Sequence, residues 1–97
     1  SQMNLYEQQS TWNPNMPLRG LFYFAQLYQQ HISKQKRDIY SSTMLKIPTP
    51  QFIVIYNGSR QTKDIEKLKL SDAFEVPKAD GEFEWTATLV NINKGHN

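Results

Sequence analysis

The sequence predicts a small α/β domain, with α+β as the alternative, and three observations along its 97 residues point there. A short alternating run opens the chain, a long amphipathic helix pattern follows, and a continuous apolar run rich in β-branched residues comes next. Strand, helix and strand in that order imply a right-handed crossover, with the two strands parallel in one small mixed sheet. The length suits a single domain over residues 1–97, and a hydrophobic fraction of 38% supplies a modest core.

The first strand is expected from Met3 to Gln9, with Leu5, Glu7 and Gln9 on one face and Tyr6 and Gln8 on the other. "TWNPNMP" breaks it. Asn13 or Asn15 then caps a helix with Pro14 or Pro17 in its first turn, where a missing N–H costs little. The helix is expected to run from Met16 into the Lys34 to Arg37 region. Leu18, Leu21, Phe22, Ala25, Tyr28 and Ile32 keep the spacing of a buried stripe, which Phe24 and Leu27 widen. Phe52 to Tyr56 reads as a central strand buried on both faces and ended by a turn at Asn57-Gly58. A short helix from Asp64 to about Leu70 and a turn at Asp80-Gly81 follow. A last strand from Phe83 to Ile92 puts Phe83, Trp85, Ala87 and Leu89 on one face.

Composition removes several function classes. With no cysteine, disulfides, thiolate zinc sites and cysteine nucleophiles are excluded. His31 and His96 lie far apart and make a poor metal pair. No apolar run approaches the ~20 residues of a membrane span, and "SQMNLYEQQ" lacks the regions of a signal peptide. A cytoplasmic protein with no membrane partner is the expectation. The net charge of +2 does not by itself call for a polyanion, although "SKQKR" gathers basic residues in one place.

The stretch with chemistry in it is "YEQQ". Glu7 and Gln9, two apart on a strand, point to the same face roughly 6–7 Å apart. A carboxylate suits a hard cation such as Mg²⁺, the Gln8 peptide carbonyl adds a second oxygen, and the Gln9 amide can orient a water beside the ion. The same spacing also describes an ordinary solvated sheet face, so spacing alone does not decide between them.

Longer words narrow the choice. "YEQQSTWNPNMPLRGLFYFAQLYQQ", "LKIPTPQFIVIYNG", "LKLSDAF" and "VNINKGHN", in that order, resemble the Rpn family of recombination-promoting nucleases. These are also labelled putative transposases and have the PD-(D/E)XK nuclease fold. The resemblance covers nearly the whole chain. It implies a restriction-endonuclease-like core and DNA cleavage that depends on Mg²⁺ or Mn²⁺, in bacterial recombination or transposition. Glu7 and Gln9 match the family's glutamate-x-glutamine, its version of glutamate-x-lysine. Glu7, with Gln8, would hold the metal, and Glu7 and Gln9 would be the catalytic pair. The fold's other acidic ligand is an aspartate on the preceding strand. No aspartate precedes Glu7 here, and Asp38, Asp64, Asp72 and Asp80 fall in the wrong place for it. The expectation is therefore the C-terminal part of a nuclease domain, lacking its N-terminal strands.

Further candidates are assigned by position. Arg19, one turn into the helix, is a candidate phosphate contact, or else a helix-start arginine that is solvated or paired. Lys34, Lys36 and Arg37 either contact a DNA backbone or complement the helix macrodipole. Trp12 and Trp85 read as packing residues, His31 as a half-buried core edge and Asp72 as a local cap. The functional alternatives are an endonuclease part, inactive as this chain alone, and a non-catalytic DNA-binding or protein-interaction module. A folded fragment without independent function is a third. An open edge on the Leu5 to Gln9 strand would favour a homodimer.

Overall fold

The computed structural model describes residues 1–93 and shows a mixed α/β fold, one four-stranded sheet with one long helix on one face. In chain order the elements are β1 (Gln2–Gln9), α1 (Met16–Lys34), β2 (Thr49–Tyr56), β3 (Ile65–Lys69), a single 3-10 turn (Leu70–Ala73) and β4 (Thr86–Asn91). The sheet order is β1-β2-β4-β3. β1 and β2 are adjacent and parallel, as the strand–helix–strand order requires, with Leu5 opposite Phe52 and Glu7 opposite Val54. β4 lies parallel to β2 on its other side, and β3 closes the sheet antiparallel to β4.

The register sorts the side chains. Leu5, Phe52, Val54, Ala87, Leu89 and Leu68 share the face beneath α1, where Met16 and Phe24 meet them. Tyr28 ties the helix to the entry of β2 by donating its hydroxyl to the Pro48 carbonyl at 2.6 Å. The Trp85 ring packs edge-on against Phe24, with centroids 5.3 Å apart. The expected strand faces of β1, the turn at Gly81 (φ +81°) and the span of α1 all match the sequence reading.

Four expectations are corrected. The helix buries a different stripe: Met16, Pro17, Gly20 and Phe24 are buried, whereas Ala25 is exposed and Phe22 is 63% exposed. Gly20 is the cause. Its missing side chain lets the Phe52 ring lie against the helix backbone, which turns that side of α1 to the sheet. Second, Ile65–Lys69 is a strand. The period-2 pattern of "IEKLK" wins because antiparallel pairing with β4 satisfies its backbone and sends Leu68 to the core. Third, the last strand begins at Thr86, so Phe83 lies outside it and is exposed. Glu84 instead folds back, accepting hydrogen bonds from the Ser71 N–H (3.0 Å) and hydroxyl (2.6 Å) and from the Trp85 N–H (3.0 Å).

Fourth, β2 is central but buried on one face only. Its opposite face, with Ile53 and Ile55, is half-buried and flanked by Tyr6 (60% exposed) and Ile65 (62%). None of the described helices covers that side. Nor does Asn15 cap α1 with its side chain; Asn13 Oδ1 accepts the Asn15 N–H at 2.9 Å. Asp72 makes no capping hydrogen bond to the 3-10 turn. Among the described residues, no helix is long and apolar enough to cross a membrane.

Candidate functional site

Alternation along β1 aims Glu7 and Gln9 at the helix-covered face, where α1 enters. The first turns of α1 bring Arg19 over Glu7. Arg19 Nη2 donates to Glu7 Oε1, and Gln9 Nε2 donates to the same oxygen at 2.8 Å. Tyr23, one turn on, accepts from Arg19 Nε (3.2 Å) and Nη2 (2.8 Å), and the guanidinium carbon lies 5.8 Å from its ring centroid. The Tyr23 hydrogen bonds, and after them the charge of Glu7, hold the Arg19 pKa above its ordinary value.

The two oxygens of Glu7 are unequal. Oε1 accepts from both Arg19 and Gln9, whereas Oε2 is buried with no hydrogen-bond partner. A buried acceptor without a partner costs on the order of 1–3 kcal/mol, so this one needs a reason. Glu7 as a residue also lines a cleft of about 350 Å³ between β1 and α1, with Leu5, Tyr6, Tyr23, Gln26 and Leu27. Gln8 contributes differently. Its side chain lies on the opposite, exposed face. The Ser1 and Gln9 carbonyls accept from β2-side residues Thr49 and Asn57, so odd-numbered residues of β1 bond to β2. The Gln8 carbonyl and N–H therefore point to the open edge of the sheet.

Sequence reasoning brought Glu7, Gln9 and Arg19 into view but not together. Of the two roles open to Arg19, phosphate contact or a solvated or paired helix-start arginine, the structure shows pairing, with Glu7 as the partner. Tyr23 was missed, although its place four residues after Arg19 is a helical-neighbour signal. Lys34, Lys36 and Arg37 lie at the other end of α1, about 22 Å from Arg19 along the axis at 1.5 Å per residue. They do not join this cluster.

A second polar region lies past the carboxyl ends of β1 and β2. Trp12 meets Tyr56 edge-on at 6.0 Å, and the Arg60 guanidinium carbon sits 4.2 Å from the indole centroid. The loop carrying Arg60 is pinned from β4. Asn91, buried at 4% exposure, donates to Thr62 Oγ1 at 2.9 Å, Asn93 donates to the Gly58 carbonyl, and the Tyr56 hydroxyl accepts the Arg60 N–H at 3.0 Å. The first part of the polar closing segment thus positions a loop. Lys94 to Asn97, with His96, lie outside the described residues.

The implied divalent metal meets an incomplete donor set. Oε2 of Glu7 is a suitable oxygen in need of a partner, and the Gln8 carbonyl is unpaired at the edge. Against this, Arg19 already neutralises Glu7, and no group of three His, Cys, Asp or Glu among the described residues is placed to hold an ion. One carboxylate and one carbonyl leave most of an Mg²⁺ shell unfilled, so these residues alone do not make a tight site.

No family model matches this chain, and no curated protein or solved structure matches it.

Proposed function

We propose that the chain is part of a metal-dependent DNA endonuclease of the restriction-endonuclease-like class, tied to recombination or transposition, and that it contributes the Glu7 side of the active site. The observation that carries this reading is Glu7 Oε2, a buried carboxylate oxygen with no partner, on an edge-strand residue that also lines a cleft. Functional sites are where such unsatisfied groups are retained. The roles of this chain's own residues follow from the contacts. Gln9 and Arg19 fix the Glu7 rotamer through Oε1, and Tyr23 holds Arg19 in turn. The remaining acidic ligands belong to polypeptide that would pair with β1 and extend the site.

The test is a titration and a cleavage assay on the same preparation. Calorimetry with Mg²⁺ should show no micromolar binding, and the purified chain should leave supercoiled plasmid intact with Mg²⁺ or Mn²⁺. Tight Mg²⁺ binding, or nicking that disappears in Glu7→Ala, would overturn the reading that this chain is incomplete. A strand peptide carrying an aspartate, supplied in excess, should raise the Mg²⁺ affinity; no rise with any such strand counts against the endonuclease reading itself.

A second reading, a non-catalytic DNA-binding or protein-interaction module, has one observation in its favour. The Arg19–Glu7 pair has the form of a structural ion pair joining helix to strand. If that is its whole role, Glu7→Ala should lower stability and leave DNA and metal binding unchanged.

A further inference from the structure

The connection from α1 to β2, residues 35–48, carries no regular structure but is not featureless. The helix ends with the Arg37 N–H bonded to the Ile32 carbonyl (3.1 Å) and the Lys36 N–H to the Ser33 carbonyl (3.0 Å). This is a Schellman closure, and it places Lys36 in the left-handed region at φ 54°. Glycine is the ordinary choice at that position; a side chain there is strained, and such strain points to a use for the side chain.

The same connection forms a groove of about 490 Å³ in which Ile32, Ile39, Met44, Leu45 and Ile47 give an apolar floor and Ser41, Ser42 and Thr43 add hydroxyls. Tyr40 is 90% exposed and Met44 79%, although both belong to types that normally find cover. The segment that forms the groove is strongly basic. Residues 34–46 hold Lys34, Lys36, Arg37 and Lys46 against the single carboxylate of Asp38, a surplus of three in a chain whose entire surplus is two. Asp38 is exposed, and one of its oxygens is taken up locally by the Tyr40 N–H at 2.9 Å. Arg37 Nη1 donates to the Lys46 carbonyl at 3.3 Å and joins the two sides. Among the described residues, none of these four cations has a carboxylate within salt-bridge distance.

We propose that this groove is the docking site for an acidic amphipathic segment of a partner protein. Its apolar side chains fill the groove and its Asp and Glu side chains meet Lys36, Arg37 and Lys46, which flank the groove-lining residues in the chain. The proposal goes beyond the endonuclease reading and stands without it. A DNA backbone answers the cations but leaves the apolar floor uncovered. A bilayer leaves the hydroxyls of Ser41, Ser42 and Thr43 in the groove without partners.

The probe is a fluorescein-labelled amphipathic helix of Leu, Phe, Asp and Glu, followed by anisotropy with the intact chain. The comparison set is the same peptide with Lys in place of its acids, phosphatidylserine vesicles and a DNA duplex. The acidic peptide should bind more tightly than all three, weaken with salt, and shift amide resonances of residues 32–47 only. Lys36→Gly supplies the sharper readout, because it relieves the backbone: the variant should resist urea better than the parent yet bind the peptide several-fold more weakly. Met44→Asp should also weaken binding, with the amide spectrum otherwise preserved. Equal binding of acidic and basic peptides, preference for the duplex or the vesicles, no binding to any probe, resonance shifts elsewhere, or unchanged affinity in Lys36→Gly would each overturn the proposal.

Discussion

Glu7 shows how one side chain can be over-supported at one atom and unsupported at the next. Oε1 has two donors; Oε2 has none and is shut off from water. Arg19 is the cation paired with this carboxylate, so its removal leaves a half-buried acceptor without its ion-pair partner, the more costly half of an asymmetric pair. Arg19→Ala should therefore lower stability by about 1–2 kcal/mol, while Glu7→Gln, which keeps an acceptor for Arg19, should change it by less than about 0.5 kcal/mol. Urea unfolding of the two variants checks the order, and the reverse order would show that Oε2 has a protein partner. Glu84 makes the pH prediction. The Ser71 hydroxyl first, then the Ser71 and Trp85 N–H groups and Lys78, lower its pKa below the ordinary carboxylate value. A lowered folded-state pKa contributes stability that is present above the unfolded value and lost as pH falls through the folded one. Glu84→Gln should flatten the acid limb of stability against pH and leave the neutral plateau nearly level.

At the scale of elements, Gly20 decides which side of α1 meets the sheet. Alanine in its place favours the helix by about 1 kcal/mol, but the added Cβ overlaps the ring of Phe52, which is buried and cannot swing away. Gly20→Ala should be destabilising on balance, by roughly 1–2 kcal/mol in thermal or urea unfolding. Lys36→Gly runs the other way and should stabilise by up to about 1 kcal/mol, because the left-handed position no longer carries a side chain. These two positions also mark how far the sequence could be read. The spans of β1 and α1 and the parallel pairing of β1 with β2 were legible, because period and breaker residues are local signals. The buried helix stripe was not: an apolar count assigns Gly20 to no face, whereas in the folded chain its bare backbone is a packing surface. "IEKLK" fits either period over five residues, and only the partner strand β4 settles it. Of the site, the Glu7–Gln9 pairing came from spacing alone. The Arg19–Glu7 contact spans twelve residues and a chain reversal, and no local pattern announces it.

Among the described residues, the molecule as a whole leaves one sheet face and one strand edge unsatisfied. The sheet face opposite α1 exposes Tyr6 and Ile65, and the edge of β1 presents the backbone of Gln2, Asn4, Tyr6 and Gln8. Free edges of this length are templates for pairing. The isolated chain is expected to self-associate as concentration rises, and Asn4→Pro should abolish this, because its N–H points outward and its loss spares the ladder to β2. Light scattering of the parent and of Asn4→Pro over the same concentrations tests this, and a strictly monomeric parent would contradict it. The parallel register has a separate consequence, in time rather than in structure. Leu5 meets Phe52 only across a sequence separation of 47, and among the described residues β1 has no other strand to pair with. Its ordering must wait until α1 has formed and folded back, so the ladder closes late, after a large loss of chain entropy. In a chevron series, truncations within β1 should then speed unfolding and barely slow refolding, and truncations in the α1–β2 core should do the opposite.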